Sequence, residues 1–229
     1  MAVTKLKTPI QRPSLVDSVY ETLLEAIVSG QLAPGSELNS VMLAEQLDVS
    51  RTPVTEAIKL LAHDGVVEQI NHRRARVARF SREELTEIYE VRNVLETAAA
   101  ERATRQIDTE VLDALESEAA QLEQSRGDVD WSARALDFDI RFHDAIAATC
   151  GNKRLQKEIG HYRLLVRAFC RATSDEAILL TALTEHKAIL DALRTRRPTA
   201  ARAAMSKHIA NRLNAVLQAV YSESTSVGS

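Results

Sequence analysis

Asp139 and His143 stand four residues apart and fall on the helical face of Ile146 and Cys150, so a carboxylate and an imidazole point inward side by side. His186 lies on the stripe Leu179, Leu183, Leu190, Leu193, and His208 adjoins Met205 and Ile209. Three helical segments thus each turn a histidine toward an interior. Three imidazoles and one carboxylate form a donor set for a divalent transition ion, zinc or nickel foremost, with open positions for water or an oxygen-bearing ligand. The plainer reading makes each histidine a core residue with its own hydrogen-bond partner. An enzyme could use such a site to activate water, but no general base, nucleophile–base pair or phosphate-cradling glycine loop accompanies it in the sequence. A purely structural ion is a third possibility. His63 and His161 show no comparable placement, and Cys150 and Cys170 lack Cys-x-x-Cys spacing and receive no role.

The elements that must position these groups are helices. Ser81 and Glu84 have the spacing of a capping box, which starts a helix running to about residue 105. Further breaks fall near Ile107-Asp108, Gly127-Asp128, Gly151-Asn152, Thr173-Ser174 and Arg197-Pro198, giving an antiparallel bundle of about six helices. Gly160 interrupts one of them and weakens it by about 1 kcal/mol relative to Ala unless a neighbour packs close there.

Ahead of the bundle, residues 43–65 read as two short amphipathic helices joined by a tight turn. Leu43, Ala44 and Leu47 mark one apolar stripe; Val54, Ala57, Ile58, Leu61 and Ala62 mark the other. Asp48, Val49 and Ser50 form the turn, Ser50 or Thr52 caps the next helix, and Pro53 sits in its first turn. With the stripe inward, Ser50, Arg51, Thr52, Thr55 and Lys59 face outward, the arrangement of a helix that enters a DNA major groove. The β-rich runs 66–70 and 75–78 predict a hairpin, the wing of a winged helix-turn-helix. His72, Arg73, Arg74, Arg76 and Arg79 crowd that wing, where several could meet phosphates or a minor groove.

The whole chain is mainly α with one small β-hairpin: 229 residues, 45% hydrophobic, 4% aromatic, seven glycines and a net charge of −3. That charge does not mark a nucleic-acid binder, so the local basic cluster carries the argument. The expected organisation is a flexible segment over 1–12, a DNA-binding domain over 13–79, a helical domain over 80–221 and a disordered tail over 222–229. No apolar run suits a membrane span and the start lacks the apolar core of a signal peptide, so a cytoplasmic protein with no membrane partner is expected.

The first part of the chain resembles the GntR family of bacterial transcription regulators through Leu32-Ala33-Pro34-Gly35, Leu43-Ala44-Glu45-Gln46-Leu47 and Val49-Ser50-Arg51-Thr52-Pro53-Val54. The remainder resembles the FadR-type effector domain called FCD, in its VanR-like six-helix branch. Glu90-Val91-Arg92 with Glu96, Asp139-x-x-Phe142-His143, Glu185-His186-Lys187-x-Ile189 and His208-Ile209 carry that likeness. The resemblance implies Asp139, His143, His186 and His208 as metal ligands, a small organic acid bound beside the ion, and Arg92 facing the acid's carboxylate. Arg163 and Arg167 are further candidates for the same pocket. Family members commonly carry an arginine where this chain has Thr55, a polar or charged residue in place of Val41, and a wing glycine in place of Arg74. An arginine–guanine contact is worth about 1–3 kcal/mol of discrimination, so the operator is expected to depart from the usual one. A single winged domain reads few base pairs, so a homodimer on a palindromic operator is expected, with effector binding shifting DNA affinity.

Overall fold

Ser14 and Asp17 close a reciprocal cap, the Ser14 hydroxyl accepting from the Asp17 amide and the Asp17 carboxylate from the Ser14 amide, and so start α1 (Leu15–Val28). The computed structural model describes residues 14–71, 74–170 and 173–221, and the chain divides into two units, 1–79 and 80–229.

In the first unit, Val19, Leu23, Leu24 and Ile27 of α1 are buried, as are Val54, Ala57, Ile58 and Leu61 of α3 (Arg51–His63), and the two helices pack together. Between them lies α2 (Ser40–Gln46), whose first amides are held by the Asn39 carboxamide oxygen. The turn from α2 to α3 passes through Asp48 at φ 51°, the left-handed conformation that Asp tolerates better than most residues. Of the two caps the sequence offers, Ser50 occupies the N-cap of α3 while Thr52 lies inside the helix, and the Ser50 side chain makes no capping bond.

β1 (Glu37–Asn39), β2 (Val67–Asn71) and β3 (Arg74–Val77) form an antiparallel sheet in the order β1-β3-β2. The predicted hairpin therefore carries a third strand, which pairs Leu38 with Ala75. Three residues are too few to show alternation, so β1 left no periodic signal. Gly35, at φ +80°, leads into it, and a Cβ there would overlap the Arg79 guanidinium. His72 and Arg73 lie outside the described residues, as do 1–13 and 222–229.

The second unit contains α4 (Arg82–Ala103), α5 (Thr109–Gln124), α6 (Trp131–Ala148), α7 (Lys153–Cys170), α8 (Glu176–Arg194) and α9 (Pro198–Tyr221). The Ser81–Glu84 capping box opens α4, and Pro198 opens α9 at a position where a missing N–H costs nothing. α4 packs on α9 and α7, α8 on α9, and α6 touches α4, α5, α7 and α8, which places α6 in the middle of the bundle. Phe138, Phe142 and Ile146 of α6 join Leu85, Tyr89, Leu190, Met205 and Val216 in one core. No helix among the described residues is long and apolar enough to cross a membrane.

Candidate functional site

The bundle brings Asp139 and His143 of α6, His186 of α8 and His208 of α9 together: one donor atom from each lies within 4.8 Å of all the others. The spacing of four on α6 aligns its pair on one face, and the apolar stripes of α8 and α9 carry their histidines inward with them. All three histidines are buried. His143 Nε2 is 3.2 Å from His208 Nε2 and 3.7 Å from Asp139 Oδ1, and His186 Nε2 is 3.4 Å from the same Asp139 oxygen. The His186 ring stacks on Phe142, with centroids 4.1 Å apart, which fixes its plane.

Two carboxylates outside the cluster set the tautomers. His143 Nδ1 lies 2.5 Å from Glu96 Oε2, and His208 Nδ1 lies 2.9 Å from Glu185 Oε2, with Asn211 donating to the other Glu185 oxygen. A proton on Nδ1 leaves Nε2 of a neutral ring with its lone pair toward the cluster. Two such lone pairs facing each other at 3.2 Å repel unless a proton or a metal cation lies between them. Were the rings instead hydrogen-bonded to one another, one of them would be an imidazolium. Burial, and then the Arg163 charge, oppose that at His143, whose pKa is pushed down to about 3.

His186 is also held neutral, at about 4, first by burial and then by His208, and neither of its ring nitrogens has a hydrogen-bond partner. Burial alone would raise the Asp139 carboxyl, but His186, His143 and Arg163 together hold it well below the ordinary range, so it is an anion. These residues fit a divalent transition ion. Bonds of about 2.0–2.1 Å from adjacent ligands on one ion place their nitrogens about 2.9–3.4 Å apart, which the 3.2 Å between His143 and His208 matches. Neutral imidazoles, an ionised carboxylate and carboxylate-oriented Nδ1 protons are the states that such an ion requires.

Glu96 and Glu185 were not singled out by sequence reasoning as orienting groups. The signal for Glu96 lies in α4, where Arg92 and Glu96 share a buried face with Leu85, Tyr89, Ala99 and Ala103. Arg92 Nε and Nη2 both lie 2.9 Å from Glu96 Oε1, so this is a buried pair and not a surface one. Burial alone would raise Glu96, but Arg92, His143 and Arg163 outweigh it and hold the carboxyl far below its ordinary value. Arg163 donates to the Asp139 backbone oxygen at 3.2 Å and to its carboxylate at 3.3 Å. Arg167 is half-buried on the same helix, its Nε without a partner. A fourth inward arginine, Arg212, follows His208 by one turn of α9 and is buried. Sequence reasoning missed it, although its i, i+4 relation to His208 puts it on the same face.

In the first unit, Ser50, Arg51, Thr52 and Lys59 are exposed along the start and outer face of α3. Thr55 is half-buried, with its hydroxyl donating to the Arg51 carbonyl oxygen at 2.9 Å. Lys59 pairs with Glu56 at 2.8 Å, an exposed contact of the kind that exchanges freely with other anions. On the wing, Arg74 is exposed, Arg76 pairs with Glu68 at 2.7 Å, and Arg79 donates to the Pro34 carbonyl oxygen at 3.1 Å. Two of the wing arginines named from sequence thus already have partners within the fold.

Residues 87–211 match the model of the FCD domain, and residues 15–77 match that of the bacterial regulatory proteins of the gntR family. The chain is 30% identical over 204 residues to the galactonate operon transcriptional repressor of Escherichia coli, covering 78% of this chain and 86% of that protein. It is 27% identical over 192 residues to an uncharacterized HTH-type transcriptional regulator, YdhC, of Bacillus subtilis, covering 82% of this chain and 85% of that one. Among solved structures, Escherichia coli McbR/YncC superposes with a TM-score of 0.78 at 22% identity over 90% of this chain and 99% of its own, a likeness of fold. A putative GntR transcriptional regulator from a Rhodococcus species gives a TM-score of 0.71 at 26% identity, over 88% and 97%.

Proposed function

The chain belongs to the GntR family of bacterial transcription regulators and carries the FCD domain, and from that premise we propose that it binds a palindromic DNA operator as a homodimer under control of a small organic acid held beside a metal ion. It is a transcription regulator and not an enzyme. Asp139, His143, His186 and His208 would hold the ion, and the convergence of one donor atom from each within 4.8 Å of the others is the observation that carries this reading. The ion, zinc or nickel, would supply a Lewis-acidic centre with open positions for the oxygens of an acid.

The protein's own residues do the rest. Glu96 and Glu185 orient two of the imidazoles, and Phe142 fixes the plane of the third. Arginines around the cluster neutralise the acid's carboxylate. Arg92, Arg163 and Arg167 are the candidates, although Arg92 and Arg163 would have to share their charge with Glu96 and Asp139. In the first unit, Arg51, Thr52, Thr55 and Lys59 with Ser50 read the major groove, and Arg74 with His72 and Arg73 meets the backbone or minor groove.

The test has two arms. Metal analysis of the purified protein should give one ion per chain, falling to none when His143 and His208 are both replaced. Operator selected from random duplexes should then bind with an affinity that changes when a carboxylic acid saturates the protein at fixed salt. A coupling of about 100-fold would correspond to about 2.7 kcal/mol of differential binding. Operator affinity unmoved by any acid that the protein binds would refute the sensing role and leave the ion structural.

A further inference from the structure

α4 is apolar on two opposite sides. Leu85, Tyr89, Ala99 and Ala103 turn into the core together with the buried Arg92–Glu96 pair. Val91, Val94 and Ala98, spaced three and four apart, share the side of the helix that faces away from that core. Val91 is 36% exposed and Val94 66%, and half-buried Ile88 and Leu95 widen the stripe along one margin. Among the described residues of the second unit, the other exposed large apolar side chain is Val129, alone in the loop before α6. A surface helix turns one stripe inward and shows charge to water, so a second stripe opposite the first marks a face that another molecule covers.

The charges around this stripe are sorted by sign along the helix. Glu83, Glu84, Glu87 and Glu90 are exposed in its first half, and Arg102 and Arg105 are exposed at its end. Arg82, the exposed cation of the first half, lies over the Tyr221 ring. Glu101 is already paired with Arg202 at 3.0 Å, whereas neither Glu87 nor Arg105 has an ion pair among the described residues. Such a face can complement itself. Two copies of α4 laid parallel would set carboxylates on carboxylates. Laid antiparallel about a two-fold axis midway between Val94 and Ala98, they set Val94 on the partner's Ala98 and Glu87 on the partner's Arg105. Ala98 is small enough to let the helices approach at that centre. The four carboxylates repel a nucleic-acid backbone, which leaves a second copy of the chain as the occupant.

We propose that the outer face of α4 is the self-association surface of this protein, two copies of the helix packing antiparallel across that axis. The inference rests on the homodimer reading above and names its interface. Val91, Val94 and Ala98 form the apolar centre, and Glu87 with Arg105 closes both ends and fixes the direction of the pair.

The experiment measures the dimerisation constant of the full-length protein by sedimentation equilibrium without DNA, with circular dichroism to check that each variant is folded. Val94→Glu should weaken the dimer by about 100-fold or more, because its carboxylate would be buried with no counter-charge. Glu87→Arg and Arg105→Glu should each weaken it by about tenfold, since two-fold symmetry turns two attractions into two repulsions. The double variant Glu87→Arg/Arg105→Glu should return to within about threefold of the wild type, because the pair is restored with its signs exchanged. Should Val94→Glu not fold, the charge pair decides.

A wild-type dimer that Val94→Glu leaves intact overturns the proposal and moves the interface elsewhere, with the homodimer reading still standing. Single reversals that have no effect, or that the double variant does not rescue, overturn the antiparallel pairing and the proposal with it. A wild type that stays monomeric at every concentration removes the homodimer reading itself.

Discussion

Glu96 meets three charged or chargeable groups at once: it neutralises Arg92, lies within 3.9 Å of Arg163 Nη1, and holds the Nδ1 proton of His143. Its replacement therefore separates metal affinity from simple packing. Glu96→Gln keeps the shape, loses the charge and lets His143 turn its lone pair away. Zinc affinity should fall by about 10–100-fold in competition with a chromophoric chelator, the usual effect of losing a carboxylate behind a metal-binding imidazole. Unchanged affinity would mean that His143 is oriented by packing alone. The same cluster sets an acid limit on the metal-free protein. His143 and His186 titrate at about 3 and about 4 when folded against 6.5 when unfolded, both because burial disfavours the charged ring. Their folded values lie below the unfolded ones, so the unfolded chain binds more protons in that window. The stability they contribute is complete above about pH 6.5 and declines as the pH falls toward 4. The depressed carboxyls of Asp139 and Glu96 add a second loss, beginning below about pH 4.5. Urea midpoints of the metal-free protein should fall over the upper window, and more shallowly in His186→Phe; a flat profile there would show that the rings are not buried neutral.

The helices were legible where local chemistry defines them and less so where only packing does. The Ser81–Glu84 box, the breaks at Gly127 and Gly151, and the stripe of Leu179, Leu183 and Leu190 write α4 to α9 into the sequence, because caps, left-handed turns and periodic burial are local properties. The convergence of the His/Asp cluster was legible for the same reason, since each histidine shares an apolar stripe. β1 was not, being three residues held by pairing with β3. Glu185 and Arg212 were not, because what they do depends on partners 23 and 39 residues away, His208 and Thr173. α7 supplies a sharper test at this scale. Gly160 sits exposed within it, and a Cβ built there meets nothing within 4 Å, so no close packing accounts for the glycine. Gly160→Ala should stabilise the protein by about 1 kcal/mol through the lower backbone entropy of the unfolded chain, read as a raised urea midpoint at unchanged slope. Destabilisation would show that α7 needs its glycine for a conformation other than this helix.

At the scale of the molecule, the cluster belongs wholly to the second unit, drawing its ligands from α6, α8 and α9, while the first unit has its own core in Leu38, Val54, Ala57 and Leu61. A ligand that binds only folded protein stabilises the unit that holds it by mass action, by about 2.7 kcal/mol at a free concentration of 100 times its dissociation constant. Metal removal should therefore act on one half of the chain. In differential scanning calorimetry, chelation should lower the transition of the 80–229 unit and leave that of the first unit in place; zinc should restore it in the wild type and fail to do so when His143 and His208 are both replaced. An organic acid added to the zinc-loaded protein should raise the same transition further. Both transitions moving equally on chelation would mean that the units unfold as one, and neither moving would remove the ion from the folding equilibrium. If zinc restores the transition but no acid raises it, the ion ties three helices together and senses nothing.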